Sequence, residues 1–414
     1  MKNITIVISV LFFISCAHYF NNDVYEIAIT AKIDKSIPAP YSTEIRALPL
    51  KADFILPPFY DFGTMVEDRL ILGSINEEVV DIFDNLSGDL IRRLKADCKD
   101  DPFNFSRPKQ IYVRSDEKGE DIIHVLDGWA NRVFKYNLEG DYLGFFDSYI
   151  FYEDFSALND SIDILSTHGV NNAHVKFDNL FLGGADFIIT KNGSDYKTLG
   201  KNHLGFDFIS SFYQQRHFFN WGRHIGYYNS FLDSIFVIDE KINKNVIALN
   251  FNDVGDFANL YNDIKVESKV TYAYENDLIY IHDVSYNDDL LTIRFFKRGV
   301  MHYYVHDTEH SDVAFHIDRF FTDGYPDLTL NQNLVLGKNQ FGGMLHYYDF
   351  LNLLNSTKSD SRFYAQAERF VRESGVEDIK SQVLEAGKSL YLHNPIFYIS
   401  TIKKNNSKER INVL

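Results

Sequence analysis

A repeated strand–turn–strand pattern constrains this chain more than any other feature of its sequence. The stretch Ile122–Phe146, IIHVLDGWANRVFKYNLEGDYLGFF, reads as three short β-strands joined by two turns, with Gly140 in the second turn. Gly88 lies 52 residues before Gly140 in a similar pattern, and Gly193 lies 53 residues after it. Because a sheet of three short strands cannot bury its faces alone, the pattern predicts an array of packed copies.

The remaining copies follow the same plan more loosely. They are Ile225–Phe251 with a turn at Asn243-Lys244-Asn245, Leu278–Val305 with Gly299 at its hairpin, Asn333–Tyr348, and the last strand at Pro395–Ile402. Six units of roughly 50 residues are typical of propeller blades. A β-sandwich needs no such period, and a β-helix has a much shorter one. We therefore predict an all-β fold, a six-bladed β-propeller.

The best-defined copy resembles a known repeat. Val125-Leu126-Asp127, Asn131-Arg132-Val133-Phe134 and Gly140 are similar to the NHL-type repeat. From about residue 40 to 404 the chain resembles the six-bladed β-propeller lipoproteins of Gram-negative bacteria, most of which have no assigned activity. One departure is Cys98–Asn104, which stands where members of that family have a Gly-Pro-Gly-Glu-type loop.

Residues 1–16 are a predicted lipoprotein signal peptide. Lys2 gives a positive start, and Ile4–Ile14 is an apolar run that is too short to span a bilayer. Phe13-Ile14-Ser15-Cys16 resembles a bacterial lipobox, although Leu is usual where Phe13 stands; a signal peptide cleaved elsewhere is the alternative. The resemblance implies cleavage before Cys16 and acylation of its thiol. Since no acidic run follows in Ala17–Asn22, we expect an exported protein, lipid-anchored in the outer membrane and facing the periplasm.

The regions around the repeats complete the domain plan. Residues 17–42 are a predicted tether, 43–404 the propeller and 405–414 a polar tail. The alternating strand Thr43–Leu50 is expected to complete the last blade beside Pro395–Ile402. Residues 355–390 break the strand pattern and are predicted to form a short helical insertion in that blade. Its apolar residues recur at helical intervals, at Val376, Ile379, Val383, Ala386 and Leu390.

Charge and cysteine content exclude several kinds of partner and chemistry. The net charge of −17 argues against nucleic acid and against electrostatic docking on anionic lipid. If Cys16 is acylated, Cys98 has no cysteine partner for an intramolecular disulfide. The acidic neighbours of Cys98 disfavour the thiolate that a nucleophile requires.

Two groups of side chains are candidate metal ligands. The first is the histidine group His302, His306, His310 and His316. On a helix the first three would share a face, but Val300–Val305 is rich in β-forming residues. On a strand, His302 and His306 would lie ~13 Å apart, too far for one metal unless the following turn folds the third histidine back. The loop Asp116–Asp121 lacks the alternating register of a calcium loop, and Lys118 opposes a cation. We therefore predict no metal site and no cofactor.

Two further groups are candidates for catalysis or binding. Asp127, Asn131 and Arg132 fit a structural role, in which the Asp and Asn satisfy turn amides and the Arg packs along the strand pair. Trp221, Arg223 and His224 form an aromatic and basic cluster before a strand and are a candidate ligand face. We predict no catalytic residue, since the chain has no Gly-x-Ser-x-Gly, His-Glu-x-x-His or Walker motif.

These features predict a lipid-anchored cell-envelope protein that binds or scaffolds without catalysis. The expected partner is an unidentified protein, or a small-molecule or glycan ligand, at a mouth of the central channel. The alternative is an enzyme similar to the calcium-dependent lactonases and hydrolases that share the fold, which is an argument by analogy. Three or more carboxylates or Asn side chains directed at one axial point would favour the enzyme. Aromatic and mixed polar residues there would favour binding.

Overall fold

The computed structural model describes residues between 25 and 404, with long gaps at 30–40, 96–104, 168–175, 200–217, 252–278, 318–333 and 346–393 and shorter ones in other loops. Over the described residues the chain forms 27 β-strands and no helix. No helix in this part of the chain is long and apolar enough to cross a membrane.

Two N-terminal strands, β1 (Tyr25–Ile29) and β2 (Tyr41–Pro49), precede the blades. Blade 1 contains β3 (Phe62–Val66), β4 (Arg69–Ser74), β5 (Val79–Asp84) and β6 (Leu90–Lys95), and blade 2 contains β7 (Pro108–Ser115), β8 (Asp121–Asp127), β9 (Arg132–Asn137) and β10 (Tyr142–Asp147). Blade 3 contains β11 (Asp154–Asn159), β12 (Ile162–Ser166), β15 (Phe187–Lys191) and β16 (Asp195–Leu199), with the hairpin of β13 (Lys176–Phe177) and β14 (Leu180–Phe181) between its second and third strands.

Blade 4 contains β17 (Phe218–Trp221), β18 (His224–Tyr227), β19 (Ser234–Ile238) and β20 (Lys244–Phe251), and β1 joins its outer edge. Blade 5 contains β21 (Tyr280–Asn287), β22 (Leu290–Lys297), β23 (Val300–Asp307) and β24 (Ala314–Ile317). Blade 6 contains β25 (Leu334–Gly337), β26 (Gln340–Leu345) and β27 (Ile396–Lys404), and β2 is its fourth strand.

The six sheets form a closed ring, so the predicted six-bladed propeller is confirmed. The first strand of each blade contacts the first strands of both neighbouring blades, and β25 of blade 6 returns to β3 of blade 1. The strand β2 pairs antiparallel with β27 from Tyr41↔Lys404 to Pro49↔Ile396. The predicted closure of the last blade by an N-terminal strand is therefore confirmed, with bounds shifted by one or two residues.

The hydrophobic core lies mainly between adjacent blades. One cluster joins Ile71 and Val80 of blade 1 to Ile123, Val125 and Phe134 of blade 2. Another joins blades 4 and 5 and includes Ile27 of β1, which is 1% exposed. Each blade thus buries its faces only because its neighbours are present, as the repeat pattern predicts.

The hairpin glycines that mark the blade period are constrained both by their backbone conformation and by the space around them. Gly88 and Gly140 occupy the turn before the outermost strand of blades 1 and 2, with φ of +74° and +84°. Each turn also packs against the preceding blade: a Cβ on Gly88 would overlap the carbonyl group of Pro49, and one on Gly140 would crowd Arg92. Both the left-handed backbone and the lack of space require glycine there.

Three details differ from the sequence-based prediction. Each blade has four strands rather than three, because a first strand such as β7 precedes the recognised unit. In blade 4 the turn spans Asp239–Asn243, with Ile242 at φ +67°, and β20 begins at Lys244; the predicted turn at 243–245 is therefore wrong. Within the predicted tether, Tyr25–Ile29 forms β1, parallel to β20, because its residues alternate with Ile27 buried.

Several predicted features lie outside the described residues. They are the signal peptide 1–16 with Cys16, Cys98 and its loop, Asn131, Gly193, Arg223, Gly299, His310, the helical insertion at 355–390 and the tail 405–414.

Candidate functional site

The six first strands enclose a cavity of about 190 Å³ along the propeller axis. Every blade contributes at least one polar side chain to its lining: Thr64, Gln110, Ser156, Asn220, Ser285 and Lys338, in blade order. Rings and aliphatic groups from the same strands separate these polar groups. The axis is therefore the place in the described fold where residues distant in sequence converge on one accessible volume.

The carboxylate of Asp154 joins two blades at this channel. Asp154 is 2% exposed and lies at the start of β11. Its Oδ1 accepts a hydrogen bond from the backbone N–H of Phe155 at 2.8 Å, and its Oδ2 accepts one from that of Phe218 in blade 4 at 3.2 Å. Among the described lining residues Asp154 is the only acidic one, and these amides engage both of its oxygens.

Other polar groups of the lining hold blades 5, 6 and 1 together. The Thr64 hydroxyl donates to the carbonyl oxygen of Leu336 at 3.3 Å, across the junction that closes the ring. The Ser285 hydroxyl accepts from the backbone N–H of Asn339 at 3.0 Å. The amide group of Asn339 donates to the carbonyl oxygens of Asn287 and Leu290, at 3.1 and 3.0 Å. These groups therefore hold neighbouring blades together at the site, and their hydrogen bonds do not require a ligand.

Three lining side chains remain available to a ligand. Ser156, Asn220 and Lys338 form no side-chain hydrogen bond or ion pair with the described part of the chain. Ser156 is 3% exposed within the channel wall, whereas Asn220 and Lys338 are exposed at the end where the first strands enter their tight turns. We call this end the turn end. The Ser156 hydroxyl in the wall, and the Asn220 carboxamide and Lys338 ammonium group at the turn end, together supply hydrogen-bond donors and acceptors to a ligand.

Aromatic side chains form much of the wall near the turn end. Phe219 and Tyr286 line the cavity, and Tyr286 donates a hydrogen bond from its hydroxyl to Asp289 at 2.9 Å. Trp221 stacks on Tyr286 with ring centroids 4.4 Å apart and an interplanar angle of 10°. The stack bridges blades 4 and 5 beside Asn220, so the turn end combines flat apolar surfaces with free polar groups.

The structure places part of the predicted ligand face next to this site. Trp221 stacks on Tyr286 of the channel wall, and His224 is its cross-strand partner in β18, half-buried at the adjacent turn. Neither residue is among those that line the cavity itself. The residues that sequence reasoning missed, Ser156, Asn220 and Lys338, stand in three different blades and share no local pattern. Only the blade period, extended to the first strands, could have indicated them.

The predicted histidine group does not form a shared site in the described fold. His302 and His306 both lie on β23 and are 6% and 4% exposed. His302 stacks on Phe295 with centroids 5.3 Å apart, and burial lowers the pKa of His306, an effect that the Asp307 charge partly offsets. Over the described residues no group of three or more His, Cys, Asp or Glu side chains could hold a metal.

The other acidic candidates serve turns and loops. Asp127 accepts hydrogen bonds from the backbone N–H and hydroxyl of Ser106, at 2.6 and 2.9 Å, so it fastens the segment before β7 to the end of β8. The Arg132 guanidinium lies 4.1 Å from the ring centroid of Phe145, packed along the strand pair as predicted. Asp116 accepts from two amides of its own hairpin, and these bonds hold its pKa below the usual range.

Comparisons with known proteins support the fold. No protein-family model and no curated protein sequence matches the chain. A Bacteroides fragilis protein that is inferred to be exported superposes with a TM-score of 0.65 at 14% identity, over 92% of this chain and all of the other. A Bacteroides vulgatus member of the DUF4221 family gives 0.47 at 10% identity, over 88% and 99%. A virginiamycin B lyase from Staphylococcus aureus gives 0.37 at 9% identity, over 73% and 85%.

Proposed function

We propose that this chain is an exported, lipid-anchored protein of the cell envelope that binds a ligand at the turn end of its central channel, without catalysing a reaction on it. The ligand is a small molecule or glycan, or a loop of a partner protein. Export is supported by the apolar N-terminal run that ends at Cys16, and by the likeness to a Bacteroides protein that is inferred to be exported.

The observation that carries the proposal is the composition of the channel lining. Ser156, Asn220 and Lys338 offer free hydrogen-bonding groups, and Phe219 and Tyr286 offer ring faces beside them. A cavity of about 190 Å³ holds about six water volumes of ~30 Å³ each, so it accepts one sugar-sized ring or the end of a larger molecule. A few placed polar groups among apolar ones are typical of ligand pockets.

The alternative, a calcium-dependent hydrolase, needs a ligand set that the described lining does not supply. Ca²⁺ binds six to eight oxygens, several of them carboxylates. The described lining has one carboxylate, Asp154, and two backbone amides already engage it. Gln110 and Asn220 are the carboxamides present, and the Gln110 carbonyl accepts from the N–H of Ile111. Mixed polar and aromatic groups at one axial point favour binding.

Binding at the turn end should depend on Lys338 and Asn220. We expect Lys338→Asn and Asn220→Ala each to weaken capture of the ligand by about 10- to 100-fold, because each removes a hydrogen bond that the ligand makes in the channel. Asn is chosen at position 338 because the backbone there has φ +51°, which Asn tolerates. The measurement is a pull-down from membranes, with proteins and bound small molecules analysed together.

Lys118→Asn is the matched control for Lys338→Asn. Lys118 also lies in the turn after a first strand, in blade 2, but it does not line the cavity. The Lys118→Asn substitution should leave capture of the ligand unchanged. Equal capture by the wild-type chain and both channel variants would exclude this site, and turnover of a captured ester or lactone that requires Ca²⁺ would favour the enzyme instead.

Anchoring should depend on the thiol of Cys16. Cys16→Ala removes the site of acylation, and acyl chains supply the membrane affinity in this proposal. We expect the variant to move from the membrane pellet to the soluble fraction of the cell envelope. Cys98→Ala is the control that keeps Cys16 and should still sediment with membranes. A Cys16→Ala variant that remains in the outer membrane fraction would contradict the lipid anchor.

The side of the membrane can be tested separately. Ala17–Asn22 contains no acidic run, so we expect a periplasmic orientation. Protease added to intact cells should leave the protein whole, and the same protease should cleave it after the outer membrane is opened. Rapid cleavage on intact cells would place the propeller at the cell surface.

A further inference from the structure

A connection between blades carries an exposed apolar patch that the propeller itself does not use. Phe54, Ile55 and Phe59 are 43%, 60% and 49% exposed, and Pro58 beside them is exposed as well. All four lie between β2 of blade 6 and β3 of blade 1. Contiguous apolar surface on a protein usually marks an interaction site. We call these four residues the apolar patch.

The segment that carries the apolar patch is held firmly against the ring. Leu56 and Tyr60 are 3% and 4% exposed and anchor it from below. The Tyr60 hydroxyl donates to the buried carboxylate of Asp81 at 2.6 Å. The Arg93 guanidinium lies 4.3 Å from the ring centroid of Phe54. The apolar patch is therefore a fixed surface rather than the tip of a loose loop.

Asn394 connects this segment to another part of the chain. Its side-chain oxygen accepts from the backbone N–H of Leu56 at 3.0 Å, and its side-chain nitrogen donates to the carbonyl oxygen of Ala52 at 3.1 Å. The two bonds flank Phe54 and Ile55 in sequence. Asn394 is also the first described residue after the gap at 346–393, which contains the predicted insertion 355–390, and β27 of blade 6 begins two residues later.

The sequence of that insertion complements the apolar patch. Its apolar residues at helical spacing run from Val376 to Leu390, which would form a stripe of about 21 Å on a helix. Leu390 precedes Asn394 by four residues, a reach of at most about 14 Å. The end of the stripe is therefore tethered close to the apolar patch.

We propose that the apolar patch is the docking surface for the amphipathic segment Val376–Leu390 of the same chain. Docking buries Ile55 and Phe59 against the stripe and fixes the insertion over the junction between blades 6 and 1. The ring closes at this junction, so the docked segment lies on the outside of the contact between blades 6 and 1. The occupant belongs to the chain itself, because Asn394 already joins the two elements at their shared end.

Hydrogen–deuterium exchange of the full chain tests this docking. Ile55→Asp with Phe59→Asp should accelerate exchange of the amides in 376–390 by roughly tenfold or more, while the blade strands keep their protection. Leu86→Asp and Leu143→Asp are matched controls, since these leucines are 76% and 53% exposed elsewhere on the rim. They should leave exchange in 376–390 unchanged. Unchanged exchange in the patch variant, or equal acceleration in the controls, would overturn the proposal.

A reciprocal deletion identifies the occupant. Replacing residues 356–390 by a flexible Gly-Ser linker should increase binding of a hydrophobic dye, and Ile55→Asp with Phe59→Asp should abolish that increase. Two results would assign the apolar patch to something else. The first is that the intact chain binds the dye at Ile55 and Phe59 as strongly as the deletion variant does. The second is that phosphatidylethanolamine–phosphatidylglycerol vesicles bind the intact chain through these two residues.

Discussion

A chain that ends at Asn394 is expected not to fold into a stable ring. It lacks β27, which pairs with β26 on one side and β2 on the other. Phe397 and Tyr398 are fully buried, and Ile399 and Ile402 are 3% and 1% exposed. Each such side chain contributes roughly 1.5–3 kcal/mol, so losing them removes a stability comparable to the about 5–15 kcal/mol of a whole domain. A thermal melt should show no cooperative transition.

The control is a chain that ends at Lys404. It keeps all of β27 and removes only 405–414, which is polar in sequence. We expect its melting temperature to match that of the full chain within about 2 °C. If the shorter chain melted like the full one, β27 would not be the strand that closes the ring.

The second large effect is expected at a buried ion pair in blade 5. Arg294 is fully buried, and its Nε donates to both oxygens of Asp283, at 2.7 and 2.8 Å. Burial alone would raise the pKa of Asp283, but the Arg294 charge together with the hydrogen bonds from His282 and Arg294 holds that pKa below the usual range. Asp283→Ala leaves an uncompensated buried guanidinium and should cost about 3–5 kcal/mol in the free energy of unfolding, measured by urea denaturation.

Two further variants separate loss of the pair from loss of packing. Asp283→Leu combined with Arg294→Met replaces both charges with apolar groups and should recover most of the stability lost in Asp283→Ala. Asp89→Ala breaks the ion pair with Lys51, in which both side chains are more than half exposed, and should leave the midpoint of urea denaturation nearly unchanged. If Asp283→Ala and Asp89→Ala lowered the free energy of unfolding equally, burial would not determine how much an ion pair contributes to stability.

The blade count could be predicted from the sequence because one residue type serves two purposes. Gly88 and Gly140 have left-handed backbones and also touch the preceding blade, so blades 1 and 2 repeat glycine at the same place. First strands such as β7 have no marker of this kind, and the prediction therefore assigned three strands to each blade. The short strand β1 was missed because polar and proline-rich residues surround its alternating pattern.

The channel could not be predicted in the same way. Its polar lining comes from six blades, and the positions that contribute to it in successive blades lie about 45 residues or more apart. Trp221 was recognised because it stands in a local aromatic and basic cluster. Its stacking partner Tyr286 belongs to the next blade, and only the closed ring brings the two rings together. A site whose residues come from every blade of the ring has no local sequence motif.

The pairing of β2 with β27 also determines when the protein can finish folding. The two strands stand at residues 41–49 and 396–404, so during synthesis the first must wait until the roughly 350 residues between them and the second strand itself have been made. Bringing such distant segments together is entropically costly, and folds dominated by distant pairings form slowly. Until then β26 presents an open edge that another chain can pair with, which is a route to aggregation. The interval before closure is therefore when this chain most needs a chaperone.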